Sequence, residues 1–205
     1  MGRRAWKVCR IRTRPLRFRF QRGRRGEAHR AQRQDCAESS SNGFNGIGVD
    51  GLAAAAGVTS GAFYSNFPNK EALLEGVIEA CLGKSFIDST GAIAERRELL
   101  RTWLHEYISA YHRENPAVGC VMPTLSADVA RASPAVRETY KLKMLELICK
   151  VSTVLGGAEE DREQRAWSIV AMMVGSIGIS RAMPDGDAAN CAIEHALETA
   201  VSLIG

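Results

Sequence analysis

The chain has 205 residues, 45% of them apolar, enough to bury one good core or two small ones and to exclude disorder throughout. No apolar stretch approaches the roughly 20 residues that a membrane helix needs, since the run from Trp167 is cut by Arg181. The net charge of +4 hides a division: residues 1–40 hold 13 Lys and Arg against 3 Asp and Glu, while residues 41–205 hold 14 against 20.

Residues 1–42 form an atypical basic segment. They show no helical apolar period, and no large apolar residue stands between Phe20 and Phe44, so they supply no core face and read as disordered or as a basic arm. From Gly48 the pattern changes. Val49, Leu52, Ala53 and Ala56 share one face of a short helix that stops at Gly57, a residue suited to a tight turn. Thr59 caps a second helix in which Ala62, Phe63 and Phe67 face the first, leaving Ser60, Gly61, Tyr64 and Ser65 toward solvent. Pro68 and Asn69 close it, and Lys70–Glu71 open a third helix carrying Leu73, Leu74, Val77, Ile78 and Cys81. Two short helices joined by a glycine turn, the second with a small polar exposed face, make a helix-turn-helix whose second helix fits the major groove of DNA.

The remainder is helical. Ala92 to Asn115 places Leu100, Trp103, Leu104, Tyr107, Ile108 and Tyr111 on one side, and a short helix covers Leu125 to Arg131. Ser133–Pro134 starts a helix running to Leu155, which ends at Gly156–Gly157. Two last helices follow, about Glu159 to Met183 and Asp187 to Ile204, separated by Pro184–Asp185–Gly186. No strand period and no internal repeat appears. The expectation is an all-α protein: a helix-turn-helix DNA-binding region over 43–84, then a helical ligand-binding and dimerisation domain over 85–205.

The run VDGLAAAAGVTSGAFYSNFPNKEALLEGVI resembles the DNA-binding signature of the TetR/AcrR family of repressors. The Gly57-Val58-Thr59 turn, the Tyr64-x-x-Phe67 pair and Asn69-Lys70-Glu71-x-Leu73 stand at the family's spacing. The resemblance implies that Thr59, Ser60, Gly61 and Ser65 lie nearest the bases and adjoining backbone. It implies that Tyr64 hydrogen-bonds a phosphate through its hydroxyl and that Lys70, at the start of the next helix, neutralises another. A half-buried packing role is the alternative for Tyr64, and core packing is the reading for Phe63 and Phe67.

The resemblance breaks before Gly43. The family's first helix normally lies there with an apolar pattern, whereas this chain has RGRRGEAHRAQRQDCAESSSN. Two readings are open. An arginine-heavy stretch joined abruptly to a well-patterned one is what a shifted reading frame or a misassigned start gives; alternatively, the segment is a basic arm that tracks phosphates or enters the minor groove. Without a first helix, Leu52, Phe63 and Val77 are expected to lack a packing partner, each forfeiting on the order of 1.5–3 kcal/mol.

Resemblance further implies a homodimer through the last two helices of each subunit. Gly175, Ser176 and Gly178 allow close approach between Val174, Ile177 and Ile179, and Ala192, Ile193, Ala196, Leu197, Ala200 and Val201 give the last helix its apolar stripe. Among the central helices, Trp103, Tyr107, Tyr111, Met122, Met144 and Met172 are candidate lining for a small apolar or aromatic effector, with plain core packing as the alternative for each. Cys120, in GCVMP between two helices, is either a sensing thiol beside that lining or a buried inert one.

The six cysteines Cys9, Cys36, Cys81, Cys120, Cys149 and Cys191 show no CxxC or Cys/His ligand spacing, and no apolar signal segment follows the basic start. Free thiols, a cytoplasmic protein, and neither metal nor cofactor are expected. An enzyme is not: His29, His105, His112 and His195 have no triad or metal spacing, and neither a glycine-rich phosphate loop nor a GxSxG turn is present. The reading is a ligand-responsive transcriptional regulator, a repressor released from its double-stranded operator by a small molecule. The alternative is a helical ligand-binding dimer whose DNA binding is impaired or lost with the missing first helix.

Overall fold

The computed structural model describes residues 61, 64, 67–82, 91–116 and 119–205, and every regular element among them is a helix. In chain order they are α1 (Lys70–Cys81), α2 (Ile93–Tyr107), α3 (Ala110–Glu114), α4 (Met122–Val129), α5 (Pro134–Ser152), α6 (Glu159–Arg181) and α7 (Asp187–Ser202). The atypical segment 1–42, the first helix of the helix-turn-helix and its Gly57–Val58 turn lie outside the described residues. The rest forms two compact units, one from the described parts of Thr13–Leu82 and Pro116–Lys143, the other from those of Gly83–Asn115 and Met144–Gly205.

In the first unit, Asn69 fixes the start of α1 by accepting the Ala72 amide on Oδ1 at 2.8 Å, the side-chain cap an exposed helix N-terminus needs. Leu73, Leu74, Val77 and Ile78 then fall on one buried face. Val77, expected to lack cover, has no exposed surface (0%): it sits at the centre of the face this unit encloses. Helix α4 begins at Met122 rather than Leu125, because Pro123 occupies the first turn, where its missing amide leaves no bond unmade. Helix α5 starts at Pro134, with the Arg137 amide on the Ser133 carbonyl at 3.1 Å.

The α5 end, in the second unit, comes at Ser152 instead of Leu155. There Ser152 and Thr153 turn their hydroxyls back onto the carbonyls of Cys149 and Lys150, and the Val154 amide tightens onto the Val151 carbonyl. Gly157, at φ +100°, then reverses the chain, a conformation that a side chain would strain.

Also in this unit, the single helix expected over 92–115 is broken into α2 and α3. Ile108 and Ser109 leave helical geometry, and the Ser109 hydroxyl caps the new helix by accepting from the His112 amide at 3.1 Å. The break ends the expected apolar face at Ile108: Tyr107 and Ile108 are buried, whereas Tyr111 is 68% exposed.

Helices α6 and α7 pack on one another, α7 also meets α2, and α3 meets α6. On α6, Ala166, Ile169, Val170, Met173 and Ile177 are buried at helical spacing, opposite Ala189, Ile193 and Ala200 on α7. Each larger side chain buried this way contributes about 1.5–3 kcal/mol. Arginines tie the ends together: Arg97 donates to the Val154 carbonyl at 2.8 Å, Arg165 to the carbonyls of Leu203 and Gly156, and Arg101 to the Gly205 carbonyl at 2.9 Å.

Candidate DNA-binding segment and effector region

Of the residues carried over as DNA contacts, Thr59, Ser60 and Ser65 lie outside the described residues. Gly61 and Tyr64 are helical and exposed, Tyr64 at 55%. Phe67 is 4% exposed, in keeping with a core role. Lys70 opens α1 beside the Asn69 cap and is half-buried. Burial lowers its ammonium pKa from the ordinary lysine value, and the charge of Asp128 on α4 opposes that shift.

Three acidic residues of this unit make contacts that the sequence reading did not assign. Glu71 accepts the Ser133 amide on Oε1 at 3.0 Å, and Glu75 accepts the Thr139 hydroxyl at 2.7 Å, so one face of α1 is stitched to the start of α5. The signal for this pair was their i, i+4 spacing, which sets two carboxylates on one helix face. Asp128, whose side chain is 7% exposed, pairs with Arg131 at 3.1 Å. A buried carboxylate has no signature in a periodicity that counts apolar residues alone.

Among the effector candidates, the structure brings Trp103 and Tyr107 together, with ring centroids 5.4 Å apart, and stands His112 edge-on to Tyr107 at 4.5 Å. Met144 and Met172 are half-buried on α5 and α6, and Tyr111 faces solvent. Cys120 and Met122 belong to the other unit, where Met122 is buried and Cys120 half-buried. The Cys120 Sγ accepts from the Met122 amide at 3.5 Å. Ser126 donates to the Met122 carbonyl at 2.6 Å and shares a hydrogen bond with the Tyr140 hydroxyl at 2.8 Å. Burial raises the Tyr140 phenol pKa, the Ser126 bond opposes this, and the nearby Cys120 adds to it.

Cys120, Cys149 and Cys191 carry free thiols, as expected; Cys81 does not, being disulfide-bonded. A disulfide depends on distance in space between two Cβ atoms, which cysteine spacing in sequence does not reveal.

A polar knot at the α2–α3 junction was also missed. His112 is buried and its Nδ1 stands 2.7 Å from the Tyr107 carbonyl; because a carbonyl only accepts, Nδ1 carries the proton. Burial lowers the His112 pKa; the bond to Tyr107 resists the shift and the Arg181 charge reinforces it. Arg181, at the end of α6, donates to the carbonyls of His112 and Arg113 at 2.6 and 3.2 Å, closing the C-terminus of α3. The Arg113 side chain, 8% exposed, reaches Asn190 at 3.0 Å, Glu114 at 2.8 Å and Asp185 at 3.6 Å.

Helix α6 keeps apolar surface on its outer side. Trp167 is 41% and Ile179 58% exposed, Ala171 between them is exposed, and a Cβ built on Gly175 or Gly178 meets nothing within 4 Å. The glycines expected to permit close helix approach are therefore not filled from within the subunit. Among the described residues no group of three His, Cys, Asp or Glu is placed to hold a metal ion, and no helix is long and apolar enough to cross a membrane.

Residues 37–77 match the family model described as bacterial regulatory proteins, tetR family. No sequence of a curated protein matches the chain. Among solved structures, the reduced form of NemR from E. coli is 18% identical with a TM-score of 0.69, covering 88% of this chain and 97% of its own. A TetR-family regulator from Cytophaga hutchinsonii is 18% identical with a TM-score of 0.70, covering 90% and 96%. The regulator FadR from Bacillus subtilis, solved with stearoyl-CoA, is 16% identical with a TM-score of 0.59, covering 86% and 100%. Identities this low establish the fold.

Proposed function

The chain carries the tetR-family DNA-binding segment on an all-helical fold shared with TetR-family regulators, and from that premise we propose that it represses transcription and is released from its operator by a small molecule. The observation that carries the reading is the family match over 37–77, which spans the predicted reading helix and ends within α1. Thr59, Ser60, Gly61 and Ser65 are assigned to the groove, Tyr64 and Lys70 to phosphates. The exposure of Gly61 and Tyr64 supports this.

The open stripe Trp167–Ala171–Gly175–Gly178–Ile179 supports dimerisation through α6 together with α7, which supplies the two reading helices that neighbouring major grooves require. The stacked pair Trp103–Tyr107 supports an apolar or aromatic effector, and FadR's stearoyl-CoA shows a neighbour in this fold holding a ligand with a long apolar chain. Effector and DNA then oppose one another because each favours a different dimer conformation, and the coupling is reciprocal.

The test is selection of duplexes from a random library by the full chain, followed by affinity against salt. Several phosphate contacts give a log–log slope near −0.9 for each. Lys70→Gln is expected to weaken every duplex about equally and to make the slope shallower by about 0.9. A chain that enriches no duplex, or binds with a flat slope, would leave the DNA-silent ligand-binding dimer as the better description.

A further inference from the structure

We propose that Glu71 and Glu75 set the crossing angle of α1 on α5, and through it the spacing between the two operator half-sites that the dimer accepts. The inference rests on the reading of the chain as a dimeric DNA-binding regulator and goes beyond it in naming the residues that choose the spacing.

Apolar burial alone does not fix an angle. Leu73, Leu74, Val77 and Ile78 give α1 a buried face, but the attraction that buries it is non-directional, so a helix on such a face can turn or slide at small cost. Two bonds within this unit remove that freedom. In the first turn of α1, Glu71 accepts the Ser133 amide on Oε1 at 3.0 Å; one turn on, Glu75 accepts the Thr139 hydroxyl at 2.7 Å. Both acceptors are carboxylates, so both bonds are of the stronger, charge-assisted kind. Thr139 is buried and Glu75 half-buried, which shields their bond from competing water. A single bond would leave a pivot. Two anchors define a direction, being about 6 Å apart along α1 and about 9 Å apart from Ser133 to Thr139 on α5.

The mount is stiff. From Pro134 to Ser152, α5 is one helix with neither glycine nor proline after its first residue, and beyond it the chain continues into α6 and α7, the helices assigned to the dimer. At the other side, α1 begins at the Asn69 cap directly after Pro68, where the predicted reading helix closes. An angle set between α1 and α5 thus passes to the groove-reading segment through Pro68 and Asn69 alone. In a two-fold dimer, a displacement of each reading helix along the duplex is doubled in their separation, so about 1.7 Å per subunit amounts to one base-pair step of ~3.4 Å. Operator spacing is then decided by hydrogen bonds that touch no base.

The test uses the full chain and duplexes that carry the half-site pair it enriches from a random library, with the spacer lengthened or shortened one base pair at a time. The wild type should bind one spacing about tenfold better than its neighbours, the scale of one charge-assisted bond. Thr139→Val keeps the shape and removes the donor. Its preference should fall below about threefold or move by a base pair, with the bases favoured inside each half-site unchanged. Thr139→Ser, which restores the hydroxyl, should regain the wild-type preference. Glu71→Ala should act in the same direction by less, because its bond is exposed.

If Thr139→Val and Glu71→Ala both keep the wild-type spacing preference, or weaken all spacings alike while lowering the thermal midpoint, the carboxylates only stabilise the fold and the proposal is overturned. If Thr139→Val fails to fold, Glu71→Ala alone decides, an unchanged preference again overturning it. A wild type that binds its half-sites equally at every spacing overturns the proposal and leaves DNA binding intact. A wild type that enriches no duplex defeats the DNA-binding reading itself and this proposal with it, an outcome set apart from the others because no variant is needed to produce it.

Discussion

Helices α6 and α7 are joined by an apolar stripe, with Ile169, Val170, Met173 and Ile177 fully enclosed, and yet α6 keeps Trp167 and Ile179 outside. The α2–α3 junction, which abuts the same α6, is held by the reverse means: buried polar groups, His112 and Arg113 among them, tied to carbonyls and to Asn190. One region is held by apolar burial and keeps apolar surface to spare; the other is held by buried polar side chains and the bonds they make. The difference teaches where each is vulnerable. The junction should break from within, through loss of one side chain, and the hairpin should fail only in what it attaches to.

The largest effect is expected at Arg181. Arg181→Met retains the length of the side chain but removes the two donors that close α3, leaving the carbonyls of His112 and Arg113 without them. Bonds from a charged donor contribute about 1.5 kcal/mol each at the low end, so the loss is about 3 kcal/mol, read as a fall in the urea midpoint at constant slope and fixed protein concentration. A midpoint unchanged by this substitution would show that the junction is held by its apolar neighbours after all.

Next comes the outer face of α6. Ile179→Asp places a charge where the side chain is already 58% exposed, so the isolated subunit should lose under about 0.5 kcal/mol. Association through that face should instead collapse, with sedimentation shifting from dimer to monomer while the helical circular dichroism is kept. A persistent dimer would remove α6 from the interface and leave its open glycines without a role.

The same contrast explains what could be read in advance. The buried set on α6 and the face Leu73–Leu74–Val77–Ile78 on α1 follow the helical period, so their burial was visible in the letters. The α2–α3 break was not: an apolar period runs through Ile108 and Tyr111 without pause, and only the Ser109 hydroxyl, which competes locally for a backbone amide, ends the helix. The apolar pattern starts the next helix at Leu125, whereas Pro123 in the first turn lets it begin at Met122. For the site, the reading-helix residues were recognisable as a motif. Asp128, Arg113 and Arg181 were not, because a buried charge is defined by partners far along the chain, such as Asn190 for Arg113 and the end of α3 for Arg181.

The smallest effect expected is a pH dependence of the junction. The His112 ring is buried, donates to the Tyr107 carbonyl and feels the Arg181 charge, and burial chiefly holds its pKa below the ordinary 6.5. The unfolded chain therefore binds the proton first as pH falls, and stability rises with pH wherever that is so. The His112 contribution is complete above about 6.5 and declines as acid is added below it, until the folded ring also protonates and the loss levels off. Arg113 and Arg181 are the cations beside a charged ring; Glu114 and Asp185 are the acids paired with Arg113, and both are exposed, so they offer a buried imidazolium little relief. Urea midpoints measured from pH 7.5 to 5 should show a slope in the wild type that flattens in His112→Asn, which keeps a donor for Tyr107 but does not titrate. Equal slopes in the two proteins would assign the acid sensitivity to carboxylates elsewhere and leave the junction indifferent to pH.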